Sequence, residues 1–543
     1  MDFVGKPDIN STEVWNRSPY FIAFCLWVVP TLININKAFH IDDTFYLEVA
    51  KWIVDHPLKP MSGMVNWYND PEPFSNANQP PLFFYMIAAW SRLSGTTEVA
   101  MHLLQSVFSY LCILFSYKVF RLVSREHAAV FTALFAFNPA FIVNQNMMTD
   151  IPLLAATLAF VYMLLVPGVR TEGRRYVWAA LLVSAALMIK YTALPLVVVL
   201  IISIVVWKQY RQLFVVLIPV AVLVLWSVWN YYEFGSVHLL HRGGGIMWER
   251  IPVRVHSVLL CLGGTSFFSL IILFGLLPAR RLATTAAVAA TIALPLLAAL
   301  VYSGKVGEPD AAAMLGGAFL VNGALLVVGV VYCFFRYQLA GSNRDGSGYP
   351  LAMMYWWVAA IASFVILLAP FVATRHLLLL LVPVLAIFAQ MWGRVPEGMR
   401  KVIIGGTVLA GCVLGISDWQ YADYYRRGAA DIRAHTAAGS RVWGAGHWGW
   451  QWYCSQARCE PLGVTTSAIQ DGDLLVMPKD VSRQDTHGLQ MTRVGAYWYN
   501  PGIWSFFSVS RHAAMYATSP GDIPWEFSSK AIDTFVVYRI GKP

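Results

Sequence analysis

The sequence predicts an α-helical polytopic membrane protein of about 13 transmembrane helices with a C-terminal extracytoplasmic α/β domain, on three observations. Of 543 residues, 57% are hydrophobic and 13% charged, where soluble domains carry about 45–50% apolar and about 25% charged residues. The apolar residues gather into runs near the roughly 17–25 residues that a helix needs to cross a bilayer. Beyond Ile416 the chain turns mixed and polar. The net charge of +9 does not call for a nucleic-acid partner, because basic residues in such a chain mark cytoplasmic loops.

Met1 to Ser18 is polar, and no small-residue cleavage site follows the first apolar run, so no cleavable signal peptide is expected. The first span is Pro19 to Phe39. An acidic outer loop, residues 38–98, follows it. Pro81 to Leu93 is apolar but short, which predicts a helix lying flat in the interface. The next spans are Glu98 to Val123, Ala128 to Val143, Ile151 to Val166, Tyr176 to Ile189, Leu194 to Trp207 and Leu213 to Tyr231. Val255 to Leu277, Leu282 to Val301, Ala313 to Phe335, Met353 to Phe371, Leu377 to Trp392 and Lys401 to Ile416 complete the series.

With Pro81 to Leu93 kept out of the count, the basic clusters fall on one side. They are Lys118, Arg121 and Arg125; Arg170, Arg174 and Arg175; Lys208 and Arg211; Arg280 and Arg281; and Arg336 with Arg344. The rule that cytoplasmic loops are positive then puts the N-terminus in the cytoplasm. The acidic loop and residues 417–543 are extracytoplasmic, which makes this a multi-pass protein of the inner (plasma) membrane. The division is 1–416 for the membrane part and 417–543 for the outer domain. In the latter, Tyr421 to His435 reads as an amphipathic helix, and Arg441 to Ala445, Asp473 to Met477 and Thr534 to Arg539 read as strands. Cys454 and Cys459 are expected to pair as a disulfide outside the cell. The other five cysteines lie in apolar runs and pack as small hydrophobes. Gly411 and Gly415 match the spacing of a helix-packing motif.

The acids Asp42 and Asp43 follow the first span directly, and ionised groups near lipid are costly enough to mark a functional site. A carboxylate there can accept the proton of an attacking hydroxyl or amine. A phosphate leaving group would need cations. Lys190, Arg375 and His376 stand at span ends on the same side, and Arg242 and Arg254 lie in a facing loop; each can bind phosphate, snorkel to headgroups or pair with an acid. Asp150 either caps its helix or faces the same cavity as a second acid. Glu48 reads as structural. Arg242 to Gly245 is no phosphate loop, since no Lys-Ser/Thr follows it. His435, His447, Cys454 and Cys459 match no common zinc spacing. No metal or other cofactor is called for, although a divalent cation is compatible with the acids.

Several short segments occur in a recognisable order: Asp42-Asp43-Thr44-Phe45-Tyr46-Leu47-Glu48, Pro80-Pro81-Leu82-Phe83-Phe84-Tyr85, Thr149-Asp150-Ile151-Pro152, Met188-Ile189-Lys190-Tyr191 and Arg375-His376-Leu377-Leu378. This order resembles the GT-C glycosyltransferases of the protein O-mannosyltransferase and aminoarabinose-transferase type, over roughly Pro19 to Met391. The resemblance implies a GT-C fold and an inverting sugar transfer from a polyprenyl-phosphate-linked donor. The acceptor would be extracytoplasmic: a protein, a glycolipid or a cell-wall glycan. It implies Asp42 as general base with Asp43 beside it. Tyr46, Gln79, Asp150, Lys190, Arg242, Arg254, Arg375 and His376 would then bind substrate. The chain departs from the pattern at Gln79, where a lysine is usual, at Tyr191 in place of glycine, and at His376 in place of tyrosine. The competing expectation is a transporter or flippase of a lipid-linked substrate, which would more often carry paired repeats and helices broken at midplane.

Overall fold

The computed structural model describes residues 18–77, 79–166, 173–242, 246–339, 348–436, 440–463, 468–481, 484–486, 488–499, 505–509, 513–516 and 522–541. Lys6, Arg17, Arg170, Gly243 to Gly245 and Arg344 lie outside them, as does the side chain of Arg242.

The fold is mostly helical. Helix α1 (Pro19–Asn34) enters with Pro19 at its first turn, where a missing N–H costs nothing. The outer loop then folds as α2 (Asp43–Asp55), a hairpin of β1 (Met64–Asn66) and β2 (Pro71–Pro73), α3 (Phe74–Ala77) and α4 (Leu82–Ser94). Helix α5 (Glu98–Val123) starts at Thr97, whose side chain accepts the Ala100 N–H at 3.3 Å. The expected span Ala128 to Val143 divides into α6 (Ala128–Ala136) and α7 (Pro139–Val143), because Pro139 cannot continue a helix and Asn138 caps the new one. Next come α8 (Asp150–Leu165), α9 (Gly173–Ile189), α10 (Leu194–Val206), α11 (Leu217–Phe234) and α12 (His238–Arg242). Then follow α13 (Ile251–Thr265), α14 (Leu270–Leu276), α15 (Arg280–Tyr302), α16 (Glu308–Cys333), α17 (Tyr349–Leu368), α18 (Leu378–Phe388) and α19 (Glu397–His435).

By length and composition, seven helical stretches among the described residues can cross a membrane. There are eight if the α13 and α14 stretches, bent by 83°, form one span. The sequence predicted thirteen crossings. The counts differ where an apolar segment folds as a helix of 10–17 residues, as in Pro19–Asn34, Asp150–Leu165 and Tyr191–Val206, which the count by length leaves out. Helices α13 and α16 approach closely at Gly263 and Gly323. A methyl on Gly263 would strike the Phe319 carbonyl and one on Gly323 the Leu259 carbonyl. Arg175, expected in a basic loop, is buried and donates to the Leu164 carbonyl at 2.7 Å.

Helix α19 does not stop at Ile416 but runs on to His435, so the membrane part and the C-terminal region share one continuous helix. That region adds β3 (Val442–Gly444), α20 (Trp448–Gln456), β4 (Glu460–Pro461), β5 (Leu474–Pro478), β6 (Met491–Tyr497) and β7 (Phe535–Ile540). The sheet order is β4-β3-β5-β7-β6, with β3 parallel to β4 and β5, and β7 antiparallel to β5 and β6. The three expected strands are β3, β5 and β7; the sequence pattern does not show β4 or β6. Cys454 and Cys459 are buried free thiols in hydrogen-bonding contact, not a disulfide.

One buried ion pair binds these parts together. Lys37 Nζ lies 2.6 Å from Asp418 Oδ2, with side chains 0% and 1% exposed. Lys37 also donates to the Val143 carbonyl at 3.1 Å and to Asn34 Oδ1 at 3.3 Å. Tyr516 OH lies 3.1 Å from Asp418 and 2.9 Å from the Val143 carbonyl, and accepts from Asn146 Nδ2 at 2.8 Å. The end of α1, the turn after α7, α19 and the C-terminal region therefore meet at one ammonium–carboxylate contact. Removing one partner of such a pair leaves an uncompensated buried charge, worth about 3–5 kcal/mol. Lys37→Met is expected to lower the midpoint of thermal unfolding in detergent markedly. The double change Lys37→Met with Asp418→Leu should recover much of the loss.

Candidate active site

The site is built where the outer loop, α8, α9 and the start of α18 converge. Asp42 stands at the N-terminus of α2, directly after Ile41, whose backbone is left-handed at φ 50°. A β-branched residue rarely adopts that region, at a penalty of about 1–3 kcal/mol. Ile41 is buried, and its neighbours are fastened by the C-terminal region: Tyr453 OH accepts the Phe39 N–H at 2.8 Å, and Thr44 Oγ1 donates to the Trp448 carbonyl at 3.4 Å. The strained turn sends the Asp42 side chain outward and the Asp43 side chain inward.

Asp42 opens into a cavity of about 430 Å³. Its Oδ2 lies 3.2 Å from Arg375 Nη1; the Asp42 side chain is 31% exposed and that of Arg375 9%. Arg375 is further held over the Phe371 ring, 5.6 Å from its centroid. Lys190, just past the C-terminus of α9, pairs with Asp150 in the first turn of α8 at 2.7 Å. Both placements suit the helix dipoles, a cation at a C-terminus and an acid at an N-terminus. Two acids and two cations thus face one space with balanced charge. Tyr46 reaches Thr149 Oγ1 at 3.2 Å, Gln79 lines the wall, and His376 accepts the Ala373 N–H on Nδ1 at 3.2 Å. Apart from Thr192, the remaining wall is apolar or aromatic and includes Leu194, Leu239, Phe364, Leu368 and Phe371.

Of the residues singled out in the sequence, Asp42, Tyr46, Gln79, Asp150, Lys190, Arg375 and His376 come together here. Asp43 does not line the cavity. It is fully buried and its Oδ2 accepts the His40 N–H at 2.9 Å. Arg254 is also elsewhere: it is buried and donates to the carbonyls of Ile366 and Leu367, at 3.1 and 2.7 Å, near the C-terminus of α17. It stabilises the helix end that carries the apolar wall. Glu48 is not among the residues lining the cavity, and burial pushes its carboxyl above the usual range. Sequence reading missed Trp67 and Tyr68 at the hairpin tip. Their only signal was two adjacent aromatics in a loop near the acids.

Burial pushes the Asp43 carboxyl from the usual 3.8 up to about 8, against the opposing pull of the His40 N–H and of Lys37. The folded state therefore holds this proton more tightly than the unfolded chain. Stability is favoured at low pH and declines as pH rises from about 4 through about 8, by at most about 1.4 kcal/mol per pH unit. Asp43→Asn keeps an acceptor oxygen and removes the titration. Thermal unfolding midpoints measured between about pH 6 and about pH 8 should fall less for this variant than for the native protein.

Comparison with known proteins places residues 78–232 in a match to the family model described as Dolichyl-phosphate-mannose-protein mannosyltransferase. That stretch contains Gln79, Asp150 and Lys190 of the cavity. None of the curated protein sequences compared matches the chain. Among solved structures, the chain is similar to ArnT from Cupriavidus metallidurans bound to undecaprenyl phosphate, at 15% identity and TM-score 0.38, covering 88% of this chain and 95% of that one. It is similar to the Archaeoglobus fulgidus oligosaccharyltransferase in complex with Zn and sulfate, at 12% identity and TM-score 0.47, covering 82% and 62%. A third is the S. cerevisiae protein O-mannosyltransferase Pmt1–Pmt2 complex bound to the sugar donor, at 15% identity and TM-score 0.32, covering 41% and 34%. The chain thus spans less than two thirds of the archaeal enzyme and about one third of the yeast one. The matched family and these neighbours are glycosyltransferases. Residues 78–232 are thus similar to a mannosyltransferase family, in agreement over that stretch with the resemblance carried by the motif order.

Proposed function

We propose that this chain transfers a sugar from a polyprenyl-phosphate-linked donor to an extracytoplasmic acceptor, with inversion and with Asp42 as general base. The observation that carries the reading is the pairing of Asp42 with Arg375 at 3.2 Å in a cavity that Lys190 also lines. A base and two cations are what a phosphate-leaving substitution requires. The acceptor hydroxyl or amine attacks the anomeric carbon while its proton passes to the Asp42 carboxylate. The carbon–oxygen bond to phosphate breaks on the opposite face of the ring. The electron pair stays on the phosphate oxygen, where the Arg375 guanidinium and the Lys190 ammonium balance the charge. Until donor binds, the acids Asp42 and Asp150 hold these cations in place. The apolar end of α17 and Phe371 suit the first isoprene units of the carrier.

In this reading the N-terminus is cytoplasmic, and the cavity and the region from Ser417 onward face the periplasm, where lipid-linked sugars and envelope acceptors meet. The basic clusters on one side of the spans support that orientation. A direct assay identifies the sugar and the acceptor class. Purified protein in detergent is supplied with radiolabelled polyprenyl-phosphate sugar and an envelope acceptor fraction. Asp42→Asn is expected to lower transfer by about 10²–10⁴-fold while expression and binding of the sugar-free carrier persist. Unchanged transfer would remove Asp42 from the chemistry.

A further inference from the structure

Beside the ion pairs and the apolar wall, the cavity lining includes Trp67 and Tyr68, at the tip of the β1–β2 hairpin. Trp67, half-buried, and Tyr68, 51% exposed, both line the cavity with Asp42. The Trp67 ring stands edge-on to Phe45 in the first turn of α2, with centroids 5.3 Å apart, and 6.2 Å from the ring of His447. Phe45 lies one turn beyond Asp42, so the indole sits on the base's side of the cavity.

The tip is held from outside by the C-terminal region. Gln484, 4% exposed, donates from Nε2 to Asn66 Oδ1 at 3.4 Å, to the Asn69 carbonyl at 3.3 Å and to the Leu462 carbonyl at 2.9 Å. Its Oε1 accepts the Gly446 N–H at 3.3 Å. Asn66 Nδ2 also donates to the Leu462 carbonyl at 2.9 Å, and Asn69 Oδ1 accepts the Asp485 N–H at 3.0 Å. A hairpin of two three-residue strands is marginal by itself. These contacts fix the aromatic pair relative to Asp42.

A fixed indole offers a flat apolar face with a polar rim. One face of a pyranose ring offers the matching surface, a patch of C–H groups bordered by hydroxyls. With the phosphate between Arg375 and Lys190, the ring one bond away comes within reach of Asp42 and of this tip. We infer that Trp67 and Tyr68 form the subsite for the ring of the transferred sugar, and that Gln484 is its positioning residue. The inference rests on the lipid-phosphate donor reading above and adds what grips the sugar rather than the carrier.

The test compares two ligands on the purified full-length protein: polyprenyl phosphate with and without its sugar, each displacing a labelled sugar-free carrier. Trp67→Leu keeps apolar bulk and removes the flat ring. It is expected to weaken the sugar-bearing ligand about tenfold and to leave the sugar-free one within about twofold. Trp67→Phe should restore most of the difference, and Gln484→Leu should show the same selective loss. Equal weakening of both ligands, or of neither, overturns the subsite. A native protein that fails to hold the sugar-free carrier overturns the donor reading itself, a separate outcome.

Discussion

A single buried charge pair, Lys37 with Asp418, is the constraint on which the arrangement of the site depends. Burying two ions is expensive, and their attraction offsets that only when the geometry is good and the remaining donors and acceptors are satisfied. Here the Val143 carbonyl and Asn34 satisfy the ammonium and Tyr516 adds a hydrogen bond to Asp418 Oδ2, while Asp418 Oδ1 has no hydrogen-bond partner among the described residues. The pair sits where four distant parts of the chain meet, so none of them can shift without exposing a bare charge. The loop that carries Asp42 begins directly after Lys37. Its position relative to α8, α9 and α18 is therefore inherited from this contact.

The C-terminal region is less a separate module than a clamp on the outer loop. Tyr453 holds Phe39, Trp448 receives Thr44, and Gln484 and Asp485 grip the hairpin. The continuous helix α19 transmits this from the membrane part without a linker. Gly411 and Gly415 on that helix admit Phe137 and Ile142 closely enough that a methyl on either glycine would clash. The weak sequence match at these two glycines thus corresponds to a real approach, against the broken α6–α7 pair rather than against a second copy of the motif.

Much of the scaffold was legible because hydrophobic length and basic loops obey strong rules. Seven of the ten site candidates line one cavity: Asp42, Asp150, Lys190, Arg375 and His376 stood at apolar boundaries, where a titratable residue needs a reason, and Tyr46 and Gln79 came from the motif resemblance. Asp43 was misplaced for a simple geometric cause. Adjacent residues at a helix start point in different directions, and no composition argument says which one faces the cavity. Arg254 stood at the right depth but satisfies the end of a neighbouring helix. Lys37 and Asp418 went unnoticed because each fell inside or beside an apolar segment read as a plain span. The hairpin that carries Trp67 is held through the contact of Asn66 with Gln484, 418 residues away in sequence, which no local pattern encodes.

The left-handed backbone at Ile41 has a consequence for the proposed turnover. Torsion of this kind is tolerated only where surroundings over-determine it. The aspartate is aimed by the act of folding, once, and on the proposed reading an arriving donor meets a carboxylate that is already oriented. Reorganisation, usually a recurring part of the barrier, would in that reading be transferred to the assembly of the molecule.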